Sequence, residues 1–204
     1  MVVVAFDAIG ERYVKESQEL REQLLAGQWV IDRLPGGGRV LDLGCGTGFP
    51  TAEQLAGAGV EVFGVDESPR MLELAQQRVP SARLVRGDMR ALDPQWGEFD
   101  AATAFFSLLM LSRAEVGEVL SAVRGRLRGP RLLAVAMVQG EFDAEPMTFL
   151  GAEIQVSAWS PREFGEVVEA AGFAVEELRE VQVECETDRP YAVEPQVFVY
   201  ARAR

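Results

Sequence analysis

Three glycines at alternate positions, Gly44, Gly46 and Gly48, follow an apolar run in the stretch VLDLGCGTGFPT. Without a Cβ, such positions let backbone amides come close to a ligand. Asp42 stands just before the loop, where a carboxylate repels a diphosphate and attracts a cation. A dinucleotide loop of the form GxGxxG would need its third glycine at position 49, which is Phe49 here. The loop therefore suits a ligand with a cationic group for Asp42 and a carboxylate for the loop amides, rather than a pyrophosphate. Eighteen residues beyond Gly48, a second apolar run ends at Asp66 in VFGVDESP, where an acid can accept from both hydroxyls of a ribose. After a third run, GDM places Asp88 within reach of an adenine amino group.

Other chemistry is excluded by composition. The 204 residues include no histidine, which removes Ser-His-Asp and Cys-His nucleophile systems, histidine zinc sites and imidazole pH switches. Cys45 and Cys185 are too far apart in sequence for a CxxC knuckle and suggest no disulfide framework. With 20 Lys+Arg against 32 Asp+Glu, the formal charge of −12 disfavours nucleic acid and anionic membrane as partners. The start MVVVAFDAIGERY has no basic leader, and no apolar run approaches the ~18 residues of a membrane span, so the expectation is a soluble cytoplasmic protein.

The elements that position these residues alternate along the chain. Apolar, β-branched runs predict strands over 40–43, 60–65, 82–85, 99–105 and 131–138. Between them lie helical patterns over 51–58, over 68–78 with Ser68 as N-cap and Pro69 at the first position, and over 112–127, opened by the capping box Ser112-x-x-Glu115. The basic cluster Arg124, Arg126, Arg128 and Arg131 reads as the basic end of that last helix. An earlier helix carries Leu20 to Leu34 and stops at the PGGG of Pro35. Ser160-x-x-Glu163, with Pro161, opens a helix ending near Gly172, and two further strands over 173–183 and 196–201 follow with no helix between them. The turn-rich loop with Thr187, Asp188, Pro190 and Pro195 makes that pair antiparallel. The result is one α/β domain over 1–204: a doubly wound, seven-stranded, mostly parallel sheet with a C-terminal antiparallel hairpin and helices on both faces. The stretch 139–160 reads as irregular and lies at the strand edge where open α/β sheets bind ligands.

LDLGCGTG, VDESPRMLELA, GDMRAL and FDAATAFFSLLMLSR resemble, in order, the glycine, ribose, adenine and fourth-strand motifs of the class I S-adenosylmethionine-dependent methyltransferases, particularly the bacterial small-molecule type. The resemblance implies S-adenosyl-L-methionine as cofactor. It places Asp42, Gly44, Cys45, Gly46 and Gly48 at the methionine portion, Asp66 and Glu67 at the ribose, Met71, Gly87, Asp88 and Met89 around the adenine, and Phe105 near the sulfonium. FDAIGERY resembles an N-terminal segment that closes over the cofactor with a tyrosine, here Tyr13, making 1–35 a helical lid. Where relatives carry a histidine in the loop after the fourth strand, this chain has Met110.

Candidate bases are Glu141, Asp143 and Glu145, with Tyr13. Phe106, Met110, Met137, Phe142, Met147, Phe149 and Trp159 are the expected lining of a pocket for a bulky, partly apolar small-molecule acceptor, a secondary metabolite being the expectation. Two alternatives keep a similar strand-turn-helix. One is a nicotinamide oxidoreductase, against which Phe49 counts, and the other is a cyclase-like or regulatory protein that holds the cofactor without transferring methyl. No metal site is expected.

Overall fold

The structure is a computed structural model that describes residues 5–10, 20–34, 36–184 and 193–204; Tyr13, Cys185, Thr187, Asp188 and Pro190 lie outside the described residues. In chain order the strands are β1 (Arg39–Leu43), β2 (Glu61–Asp66), β3 (Arg83–Arg86), β4 (Phe99–Phe105), β5 (Leu127–Val138), β6 (Phe142–Phe149), β7 (Ala152–Ala158), β8 (Phe173–Glu184) and β9 (Val193–Ala203). Seven of them form one sheet in the order β3-β2-β1-β4-β5-β9-β8. The pairs among β1 to β5 are parallel, and β9 pairs antiparallel with both β5 and β8. The helices are α1 (Ala5–Ile9), α2 (Arg21–Ile31), α3 (Thr51–Gly57), α4 (Pro69–Arg78), α5 (Arg113–Arg124) and α6 (Pro161–Ala170).

Strand side chains alternate between two faces, and both faces are apolar, so each needs a helical cover. Leu41, Leu43, Phe63 and Phe99 pack with Val116, Leu120 and Val123 of α5 and with Phe164 and Val168 of α6. Val40, Val62, Ala101, Phe198 and Tyr200 face the other way, onto Ala26 and Val30 of α2 and Ala52 and Leu55 of α3. Among the described residues no helix is long and apolar enough to cross a membrane.

Both predicted capping boxes form: Ser112 and Glu115 at α5, Ser160 and Glu163 at α6. At α6 the Glu163 carboxylate accepts from the Ser160 hydroxyl at 2.9 Å, while Ser160 Oγ accepts from the Glu163 amide. Ser160→Ala is expected to cost about 1 kcal/mol in urea unfolding. An unchanged midpoint would show that the packing of Phe164 alone sets the helix start.

Two expectations are corrected. The stretch 139–160 is not irregular, because β6 and β7 form an antiparallel hairpin. Its turn is Leu150–Gly151, both residues with positive φ, and its outer strand carries Pro146, so the usual turn signal is missing and one strand carries a residue that weakens the strand signal. The alternation of Ile154, Val156 and Ala158 with Glu153 and Gln155 is the trace the hairpin leaves in sequence. The basic cluster is likewise not a helix end. Only Arg124 is helical, and β5 begins at Leu127, bulging at Gly129–Arg131 so that its register with β4 jumps from Phe99↔Leu127 to Ala101↔Leu132. Arg126 instead donates to the carbonyls of Leu92 and Pro94, tying down the loop before β4.

Candidate functional site

The strand order reverses direction between β1 and β4, the place where open α/β sheets form a ligand crevice at their carboxyl edge. A shallow cleft, open to solvent, lies there, lined by Gln23, Asp42, Gly44, Cys45, Gly46, Thr47, Phe49, Thr51 and Phe105. Topology thus delivers the glycine loop from β1 and Phe105 from β4 to one crevice.

The loop is held from below by β2: the amides of Gly44 and Cys45 both donate to the Val65 carbonyl, at 2.8 and 3.1 Å. Gly44 has φ +65°, and a Cβ there would overlap the Ser107 side chain, whose hydroxyl donates to the Leu43 carbonyl at 2.6 Å. Gly46, at φ +53°, is different, since a Cβ there would meet nothing and would project into open space. Its bare backbone is the part of the loop a ligand can approach. Cys45 packs inward; burial first, then the charges of Asp42 and Asp66, push its thiol well above the usual range, so it is an inert filler.

Asp42 is buried, and the Thr103 hydroxyl donates to its Oδ1 at 2.7 Å. Burial, opposed by that hydrogen bond and reinforced by the charge of Asp66, pushes its carboxyl up to about 7. Asp66 ends β2 and accepts from the Gly46 amide at 2.8 Å through Oδ2 and from the Ser68 amide at 2.9 Å through Oδ1. Its pKa is also raised, chiefly by burial against those opposing amide bonds, with the charge of Asp7 adding to it. A carboxylate offers about four acceptor positions, so Asp66 keeps capacity for an incoming hydroxyl.

Asp7 comes from α1, which lies against α4 and β7. Its Oδ1 accepts from the Ser68 hydroxyl and from the Arg70 amide, at the N-terminus of α4, where a carboxylate is favoured by the helix dipole. Helix α1 thus touches the start of α4, where the Ser68 amide in turn donates to Asp66, a contact invisible in sequence.

Around the expected adenine position, the Gly87 amide donates to the Asp66 carbonyl, which ties the turn carrying Asp88 to the end of β2. Met71 is fully buried on α4, and Met89 packs against the core beside Gly44. Glu67 and Asp88 share one cation, Arg90.

The acceptor-side expectations divide. Phe106 sits at the end of β4 with φ +56° and its ring edge-on to Phe198, 5.8 Å between centroids. Met110 closes the short 3-10 turn after β4, half-buried. Phe142 is half-buried against Gly140. Met137 and Trp159 do not line the cleft: both are buried in the core on the α5–α6 face, Trp159 tilted against Phe164 with the Arg113 guanidinium 5.1 Å from its ring. Alternation explains it, because Met137 and Ala136 must point to opposite faces of β5. Met147 and Phe149 belong to the hairpin, Met147 exposed. Of the candidate bases, Glu141, Asp143 and Glu145 are exposed, and Asp143 accepts from the Arg113 amide at the start of α5. Sequence reasoning missed Gln23, Thr47, Phe49 and Thr51. Gln23 reaches the cleft only because α2 packs on α3, where its amide donates to Thr51 Oγ1 at 2.9 Å.

An S-adenosylmethionine-type ligand fits these residues: a bare loop glycine faces open space, and one buried and one half-buried carboxylate suit a molecule with an ammonium, a sulfonium and a ribose. Comparison with known proteins agrees. Residues 40–129 match the family described as "Methyltransferase domain". The chain is 36% identical over 115 residues to the magnesium-protoporphyrin O-methyltransferase of Rhodobacter capsulatus, covering 52% of this chain and spanning half the length of that relative. It is 31% identical over 145 residues to an uncharacterized methyltransferase of Synechocystis, covering 68% of each chain. In fold it resembles the CcbJ methyltransferase of Streptomyces caelestis, with a TM-score of 0.74 at 19% identity, covering 98% of this chain and 97% of that one. A likeness that extends over two thirds of a relative, joined to a sheet and glycine loop of the same kind, places the chain in the class I S-adenosylmethionine-dependent methyltransferases.

Proposed function

We propose that this chain transfers the methyl group of S-adenosyl-L-methionine to a small-molecule acceptor, a secondary metabolite, by in-line displacement. The observation that carries this reading is the pairing of the buried Asp42 with the half-buried Asp66 on either side of a glycine loop that opens to solvent at Gly46. When bound, the cofactor supplies an activated methyl group and its own leaving group. In this reading the chain's residues bind and orient. Asp42, braced by Thr103, receives the cationic end of the methionine portion. Its carboxylate falls to a loop amide not already engaged by Val65, Asp66 or Cys45, while Asp66 receives the ribose hydroxyls, Asp88 the adenine amino group, and Phe105 packs near the sulfur. The N-terminal segment, anchored through Asp7 on Ser68, covers the cofactor, with Tyr13 as its closing residue.

Orientation of two reactants contributes on the order of 7 to 11 kcal/mol to such a reaction, so a dedicated base is not required. The absence of histidine, with Met110 in the loop after β4, favours an acceptor that is nucleophilic without imidazole help: an amine, a stabilised carbanion or an already ionised oxygen. A small molecule is also the acceptor named for the Rhodobacter capsulatus relative.

Incubation with methyl-labelled S-adenosylmethionine and a panel drawn from those three acceptor classes tests the proposal. Label is expected on an acceptor together with formation of S-adenosylhomocysteine. Tight cofactor binding with all label retained on the donor would point to the non-methylating alternative instead.

A further inference from the structure

Arg90 stands two residues beyond Asp88, where the motif resemblance assigns no role to it, and its guanidinium holds more carboxylate than any other in the described structure. Its Nε lies 2.9 Å from each oxygen of Asp88 and its Nη2 2.8 Å from Oδ2, while the Arg90 amide donates to Asp88 Oδ1 at 2.8 Å. On its other side, Nη1 donates to Glu115 Oε1 at 3.0 Å, and Nη2 lies 3.8 Å from Glu67 Oε1. Glu115 is itself locked into the capping box of α5, so the guanidinium is anchored on a rigid element. We infer that Arg90 is a positioning residue that fixes the orientation of Asp88 and so sets the base selectivity of the nucleoside pocket.

Without a cation between them, Asp88, Glu67 and Glu115 would be like charges on one rim and would turn apart. A guanidinium is a planar fork that grips a carboxylate along one edge, which a lysine ammonium cannot do. The fork and the backbone amide occupy one side of Asp88, leaving its remaining lone pairs to face a ligand in one orientation. The same contacts hold its carboxyl below the usual range, with the Arg90 hydrogen bonds as the main cause. Asp88 is therefore an acceptor only. It takes a hydrogen bond from a 6-amino group and repels the 6-oxo group of hypoxanthine. These ion pairs are partly exposed and contribute little to stability by themselves. Their consequence lies in geometry.

This inference rests on the proposed cofactor reading of the cleft. Its test compares, by calorimetry, S-adenosylhomocysteine with S-inosylhomocysteine, which carries a 6-oxo group and an N1–H in place of the 6-amino group and the unprotonated N1. The unsubstituted protein is expected to prefer the adenine compound by roughly ten- to hundredfold. Arg90→Ala should reduce that preference to about threefold or less, with Arg90→Lys in between. In an Asp88→Asn background, removing Arg90 should change the preference no further, since Arg90 acts through Asp88. A preference that survives Arg90→Ala and Arg90→Lys, or that falls equally with Asn at position 88, overturns the inference while leaving the cofactor reading intact. Failure of the unsubstituted protein to bind either compound overturns both.

Discussion

Asp66→Ala is expected to weaken S-adenosylhomocysteine binding by about ten- to hundredfold, because hydrogen bonds to a charged group contribute about 1.5 to 3 kcal/mol. The side chain has two tasks. It is the proposed acceptor for the ribose hydroxyls, and it holds the Gly46 and Ser68 amides, so its loss leaves two backbone donors unpaired and loosens the loop. Asp66→Asn separates the two tasks: its carbonyl oxygen can keep one amide partner, but its NH2 offers no acceptor to a second hydroxyl. Titration calorimetry should rank the unsubstituted protein above Asn and Asn above Ala. Unchanged affinity in the alanine variant would show that Asp66 serves the loop alone.

The stability of the ligand-free protein is expected to fall as pH rises from about 4 to 7. Asp42 is pushed from the ordinary 3.8 up to about 7, mainly by burial. The folded protein therefore retains a proton in that interval which the unfolded chain has released. Where the folded state binds more protons, stability decreases with rising pH, here by about 4 kcal/mol once both values are passed. Asp66, also raised, acts in the same direction. Glu115, held at about 2 by its Ser112 and Arg90 bonds, has the opposite sign, but its effect is complete by about pH 5 and leaves the rest of the window clear. Urea unfolding at pH 5 and pH 8 measures the slope, and Asp42→Asn should flatten most of it. A flat profile for the unsubstituted protein would mean that Asp42 ionises in the fold without penalty. A cation placed against Asp42 should draw the proton off, so S-adenosylhomocysteine binding near pH 6 is expected to release protons, detectable in buffers of different ionisation enthalpy.

Much of the architecture was legible because its signals are local. Apolar strands ending in Gly44, Asp66 and Gly87, two capping boxes, and a pair of terminal strands with no crossover between them depend only on neighbouring residues. The β6–β7 hairpin escaped because its turn, Leu150–Gly151, uses a left-handed leucine that no propensity favours, stabilised by the pairing of the flanking strands. The early start of β5 escaped because Gly129 and Pro130 look like a break, whereas the chain passes them as a bulge. Met137 and Trp159 were misplaced because proximity to the active edge in sequence says nothing about which face of the sheet a side chain takes.

By itself the sequence determined the α/β class, the order of strands and helices apart from β6 and β7, and a glycine loop with acids at three successive strand ends, since each is a matter of periodicity and residue type over a short span. Tertiary structure alone decided what those acids experience. Asp42 becomes a proton-holding carboxyl because the folded chain buries it, outweighing the opposing hydrogen bond from Thr103, 61 residues later. Asp88 becomes an oriented anion because Arg90 is braced by Glu115 from a different helix. Gln23 and Asp7 reach the site only through packing of their helices. Burial and long-range charge are sums over the folded molecule, and no local pattern contains them.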